Sequence, residues 1–201
     1  MYSPSRMDNP LALPNLPIVL VGLMGVGKST VGRRLAKRLD MEFVDSDSEI
    51  ELAADHSIAE IFARFGEESF RDGERRVIAR LVEGPPKVIA TGGGAFMNER
   101  TRALILEKSI SVWLDADVET LAERVSRRDT RPLLKDKDPL LLLRDLASAR
   151  NPVYAQAHVH VRSQPMPHER AVERIVEALA EWQGRGAASP AVPPSPPRGG
   201  T

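Results

Sequence analysis

GLMGVGKST, residues 22 to 30, decides how the whole chain is read. It follows the apolar run Pro17-Ile-Val-Leu-Val21 and opens into Val31-Gly-Arg-Arg-Leu-Ala-Lys-Arg-Leu39, whose apolar residues recur at helical spacing. Gly22, Gly27, Lys28 and Ser29 satisfy G-x-x-x-x-G-K-[ST] between a strand and a helix, the context in which that pattern holds phosphate. Glycines let the backbone wrap closely around phosphates, while amide groups and the helix N-terminus present positive partial charge. Lys28 then neutralises the outer phosphates and the Ser29 hydroxyl ligates magnesium. A plain glycine turn capped by Ser29 would also make the corner, but gives no reason for a lysine there. Gly25, Val26, Gly27, Lys28, Ser29 and Thr30 are therefore the expected nucleotide contacts.

Outward from this corner, short β-branched runs alternate with longer helical segments, the pattern of a parallel sheet with crossover helices in a three-layer α/β/α fold. The expected strands are Ile18-Val21, Glu42-Asp45, Lys87-Ala90, Ser109-Leu114 and His158-Arg162. The expected helices are Lys28-Leu39, Ser46-Ala54, Ile58-Phe65, Glu67-Val82, Glu99-Glu107, Val118-Arg127, Pro139-Ala149 and His168-Trp182. Ligands of open parallel sheets sit beyond the carboxyl ends of the strands. Attention therefore falls on 22–30, 45–47, 91–94 and 115–117.

The 201 residues, 42% hydrophobic, suffice for one core and give no sign of a second. Lys plus Arg and Asp plus Glu both number 28, so no global field favours nucleic acid or an anionic membrane, and small neutral-to-anionic metabolites fit better. The absence of cysteine excludes disulfides, thiolate nucleophiles and Cys-ligated metals, and permits a reducing compartment. Residues 1–16 read as a loose arm without a signal-peptide core, and the Pro/Gly-rich 184–201 cannot bury enough apolar surface to fold. Residues 17–183 are the expected domain.

Three further stretches bear on the acceptor. In Asp45-Ser46-Asp47 the carboxylates share one side if the chain stays extended, so Asp45 would face magnesium and Asp47 an acceptor hydroxyl. Ser46-x-x-Glu49 also matches a capping box, and both readings can hold together. Thr91-Gly92-Gly93-Gly94 carries an entropic cost that a simple turn does not require, which points to close approach of a ligand, with a loose connection as the alternative. Arg71 lies three residues before Glu74, the usual spacing of a surface ion pair. Arg131 precedes Pro132 in a polar run that suits either a lid or an exposed loop. Arg150, before Asn151-Pro152, would equally satisfy carbonyls at a helix end. Asp115 reads as a strand-end turn, and His158 and His160 as alternation along the last strand.

Taken together, GLMGVGKST (22–30), DSD (45–47), ESFRDGE (68–74), TGGGA (91–95), TRPLL (130–134) and ARNPVY (149–154) resemble the shikimate kinase family, in order and spacing, over roughly residues 18–182. The resemblance implies a five-stranded parallel sheet of the nucleoside monophosphate kinase type. A substrate-binding helical region would lie near 46–75 and a lid near 127–140. It implies ATP-dependent phosphorylation of the shikimate 3-hydroxyl, a step of aromatic amino-acid biosynthesis, by a cytoplasmic monomer using magnesium, without nucleic-acid or membrane partners. By position, Asp47 would hold the shikimate hydroxyls and Arg71 with Arg150 its carboxylate. Gly92, Gly93 and Gly94 would line the same subsite, with backbone amides offered from Gly93 and Gly94, and Glu74 would orient Arg71. Lys28, Asp47 and Arg131 would be catalytic, Arg124 and Arg131 would contact ATP, and Ser29 and, through water, Asp45 would meet the metal. Some family members place a proline on the other adenine face; here Glu169 aligns with that position, near Pro165 and Pro167, and the contact from that side is unassigned. A kinase of another polyol acid, gluconate for example, and a noncatalytic nucleotide-binding module are the rival readings.

Overall fold

In β1 (Ile18–Val21) every side chain is buried, and each branched aliphatic residue taken from water contributes about 1.5–3 kcal/mol. Such an unbroken apolar strand demands cover on both faces, which only a central place in a parallel sheet provides. The computed structural model, which describes residues 15–126, 138–163 and 168–185, meets that demand. Five strands form one sheet in the order β2-β3-β1-β4-β5, with β2 at Glu42–Asp45, β3 at Lys87–Ala90, β4 at Ile110–Ala116 and β5 at Val159–Ser163. All four pairings are parallel, β1 meeting β3 through Ile18 and Val88 and β4 through Ile18 and Ile110. The helices are α1 (Lys28–Leu39), α2 (Ser46–Ala54), α3 (Ile58–Glu83), α4 (Glu99–Lys108), α5 (Val118–Ser126), α6 (Pro139–Tyr154) and α7 (His168–Gly184). Helix α1 packs on α7 and α3 on α4, while α5 and α6 lie against each other.

Several expectations need correction, among them the last strand, which runs Val159–Ser163 and leaves His158 just before it. The helices expected on either side of Gly66 form one element, α3, kinked at that glycine with φ 78° and ψ 175°, a conformation closed to most other residues. The capping box falls not at Ser46 but one helix later, where Ser57 and Glu60 bond reciprocally at the start of α3. Helix α2 is instead capped by Asp45, whose carboxylate accepts from the Asp47 amide. Strand β4 starts one residue later than expected and continues through Asp115 and Ala116, which pair with Arg162 and Ser163. Asp115 is thus a strand residue facing His160 at 3.3 Å rather than a turn.

Helix α6 runs past Ala149 and through Pro152 to Tyr154. A proline in the last turn forfeits one backbone bond. Against that loss, Tyr154 is only 1% exposed and is packed against the rings of Phe96 and Trp113. Residues 127–137, including Arg131 and most of the expected lid, lie outside the described residues, as do 1–14, 164–167 and 186–201.

Candidate active site

The β1–α1 corner is built by backbone angles that favour glycine. Gly22, Gly25 and Gly27 have φ of 138°, 82° and 96°. A Cβ on Gly22 would stand 2.3 Å from the Leu114 carbonyl oxygen, and one on Gly25 2.7 Å from Val125. The loop therefore lies directly against β4 and α5, and α5 carries the half-buried Arg124. No acidic residue stands in the first turn of α1, so the positive end of that helix is left unopposed for an anion. Lys28, 8% exposed, donates to the carbonyls of Gly22 and Leu23 at 2.8 and 2.9 Å. Its ammonium is thus folded back over the loop where phosphates would sit.

Ser29 donates its hydroxyl to Asp45 Oδ2 at 2.6 Å, while Asp45 Oδ1 accepts from the Asp47 amide at 3.1 Å. Asp45 joins the phosphate corner to the acceptor side and caps α2 with the same carboxylate. A hydroxyl and a carboxylate in contact are hard oxygen donors, the set suited to magnesium, which takes few protein ligands and completes its shell with water and phosphate oxygens. Among the described residues no cluster of three or more His, Asp or Glu could hold a metal without such help.

The three glycines after β3 each face one side chain. A Cβ on Gly92 would lie 2.7 Å from Asp47 Oδ1 and one on Gly94 2.7 Å from an Arg71 nitrogen, while one on Gly93 would meet the Met24 amide at 3.5 Å and Arg150 at 3.7 Å. None of the three has positive φ. Gly92 and Gly94 are therefore explained by space rather than by turn geometry, admitting the Asp47 carboxylate and the Arg71 guanidinium, whereas a Cβ on Gly93 would make only ordinary contacts. A cleft lined by the phosphate loop, Asp45, Asp47, Thr91, Gly92 and Gly93 connects that corner to Lys28.

Arg71 bonds Glu74 at 2.8 Å, and Glu74 is 1% exposed while Arg71 keeps 25%, so this is a half-buried pair rather than the surface pair its spacing suggests. Burial pushes the Glu74 carboxyl above its ordinary range against the pull of Arg71, with Asp47 and Glu67 adding to the rise. Arg150 donates to the Gly93 carbonyl at 3.2 Å and not to carbonyls at the end of its own helix, because α6 continues beyond it. Sequence reasoning missed the role of Tyr154, whose hydroxyl donates to the same carbonyl. The signal for Tyr154 was its place four residues after Arg150, on the same helical face. Glu169 is exposed and pairs with Arg34 of α1 at 3.6 Å.

A phosphate loop at the end of the first strand, facing a corner of opposite charges across one cleft, defines a P-loop kinase of small molecules. The sequence model of the shikimate kinase family matches residues 24–180. Shikimate kinases of Caulobacter vibrioides and Zymomonas mobilis are 64% and 57% identical, covering 82% and 81% of this chain and 82% and 92% of their own. The crystal structure of shikimate kinase from Acinetobacter baumannii in complex with shikimate superposes with a TM-score of 0.78 at 36% identity, covering 86% of this chain and 96% of its own. The chain belongs to the shikimate kinase family.

Proposed function

We propose that this chain transfers the γ-phosphoryl group of ATP to the 3-hydroxyl of shikimate, with Asp47, Arg71 and Arg150 presenting the acid and the 22–30 loop presenting the nucleotide. The observation that carries this reading is the glycine corner, where Asp47 and Arg71 face Gly92 and Gly94 and Arg150 donates to Gly93, with Asp47, Gly92 and Gly93 sharing one cleft with the phosphate loop. Two arginines suit one small carboxylate because charge-assisted bonds fix orientation as well as affinity. Asp47 is left to orient the hydroxyl.

In a loose phosphoryl-transfer transition state, alignment and charge neutralisation supply most of the barrier reduction. The new bond joins the shikimate oxygen to the γ-phosphorus as the bond to the β,γ-bridging oxygen breaks, and the hydroxyl proton passes late to Asp47. Lys28 exchanges its loop carbonyls for phosphate oxygens. Ser29 and, through water, Asp45 would hold magnesium, which when bound neutralises charge shared by the outer phosphates. By the family resemblance Arg124 would meet the adenine; Arg131, the other expected ATP contact, lies outside the described residues.

The reading takes the protein as a cytoplasmic monomer acting on small molecules; among the described residues no helix is long and apolar enough to cross a membrane. Following ADP release from ATP and magnesium tests the reading. Release dependent on shikimate, with gluconate inert, supports it; equal turnover of gluconate, or release indifferent to either acid, refutes it.

A further inference from the structure

The Gly93 carbonyl accepts from two side chains of α6, the Arg150 guanidinium at 3.2 Å and the Tyr154 hydroxyl. These donors have different prospects. Arg150 is only half-buried, and in the functional reading above, on which this inference rests, it must turn to the carboxylate of the incoming acid. Tyr154 cannot turn. Its ring is 1% exposed and lies near-parallel to the rings of Phe96 at 6.3 Å and Trp113 at 6.0 Å. Trp113 is itself covered by His160 at 4.0 Å. Burial raises the phenol to about 12 against the pull of Arg150, which also hydrogen-bonds the hydroxyl, so the hydroxyl keeps its proton at any working pH.

A carbonyl left without a donor away from water costs about 1–3 kcal/mol, and Gly93, being half-buried, bears part of that cost. Were Arg150 its sole partner, each binding event would have to break that bond before the guanidinium reached the acid. Tyr154 keeps the carbonyl satisfied when Arg150 leaves. It acts on the backbone as well: no cis peptide occurs among the described residues, and in a trans peptide the N–H points opposite the C=O. Holding the Gly93 oxygen toward α6 therefore fixes the direction of the Gly94 amide. We infer that Tyr154 is a positioning residue of the acceptor subsite, a standing donor to Gly93 that frees Arg150 for the substrate carboxylate and fixes the glycine corner that the substrate meets.

The test is Tyr154→Phe, which deletes one oxygen and keeps the stacked ring, assayed beside wild type by steady-state kinetics. Without the hydroxyl, Gly93 holds Arg150, and the KM for shikimate is expected to rise about tenfold, the equivalent of about 1.4 kcal/mol. The KM for ATP and kcat should stay within about twofold. In an Arg150→Ala background the same change should add clearly less than tenfold, because the guanidinium it sets free is gone and only its hold on the Gly94 amide remains. An unchanged KM for shikimate, a parallel rise in both KM values, or a full tenfold effect without Arg150 would each overturn the inference. If Tyr154→Phe proves too unstable to assay, Trp113→Phe loosens the same ring while sparing the hydroxyl. A selective rise in the shikimate KM is then required, and its absence counts against the role. Wild type inert toward shikimate would sink the functional reading and this inference with it; an active wild type beside an unaffected Tyr154→Phe would sink the inference alone.

Discussion

Gly92→Ala isolates what the glycine corner does. The added methyl would stand 2.7 Å from Asp47 Oδ1, and ordinary contact begins near 3.4 Å, so the carboxylate must retreat by about 0.7 Å. Gly92 does not need positive φ, and the obstructing atom is the end of a side chain, so the backbone accepts alanine with a stability change within about 1 kcal/mol. For a domain of this size that is a Tm shift of about 2–4 °C. Catalysis is less forgiving, because misplacing a reacting group by about 1 Å costs about a hundredfold. A fall in kcat of about 30- to 100-fold is expected, with the KM for ATP unchanged. Coupled ADP-release kinetics and differential scanning fluorimetry on the same preparation measure both. A kcat within about threefold of wild type would refute the placement of Asp47 against Gly92, and a Tm loss above about 8 °C would refute the claim that Gly92 leaves space for function rather than for folding.

Three further outcomes follow from the same geometry. Ser46 is fully buried and its hydroxyl has no hydrogen-bond partner, so Ser46→Ala should leave unfolding free energy unchanged or raise it by about 1 kcal/mol; a loss of about 1 kcal/mol in urea denaturation would restore Ser46 as the cap of α2. Glu74 has a raised pKa through burial, so its proton is taken up as pH falls through a value above the usual carboxylate range, loosening Arg71. The KM for shikimate should climb on that acid limb, and Glu74→Gln should raise KM several-fold at neutral pH and abolish the limb; a limb that persists in the variant excludes Glu74 as its source. His158 accepts at Nδ1 from the Ser111 amide at 3.1 Å, lies against Trp182, and is held below its ordinary pKa by burial. The unfolded histidine protonates first, so stability is complete above about 6.5 and declines as pH falls from there through the folded value. His158→Asn should flatten the Tm-against-pH curve in that range, and an unaltered slope would refute the assignment.

Periodicity and strand-end logic placed β1, α1, β2, α2 and β3 at their observed bounds, because these elements meet their neighbours through local signals: an apolar run, a glycine, a cap. Legibility failed where distant contacts overrule local preference. Nothing near Pro152 announces that Tyr154 will pack against Phe96 and Trp113, so α6 outruns its expected end. The Arg71–Glu74 spacing describes a helix surface equally well, and only packing against the glycine corner buries Glu74. Asp45, Asp47 and Lys28 could be named from the sequence because the strand ends dictate them; that Gly92, Gly93 and Gly94 face Asp47, Arg150 and Arg71 could not, since three separate elements converge there.

The central claim is that one cleft holds the acid and the nucleotide in line. A crystal structure of the protein with shikimate and a non-hydrolysable ATP analogue tests it most directly. The account predicts the carboxylate between Arg71 and Arg150, a ring hydroxyl on Asp47, and that oxygen directed at the γ-phosphorus above Lys28. Shikimate bound away from the 92–94 corner, or with its carboxylate toward the phosphates, would contradict it.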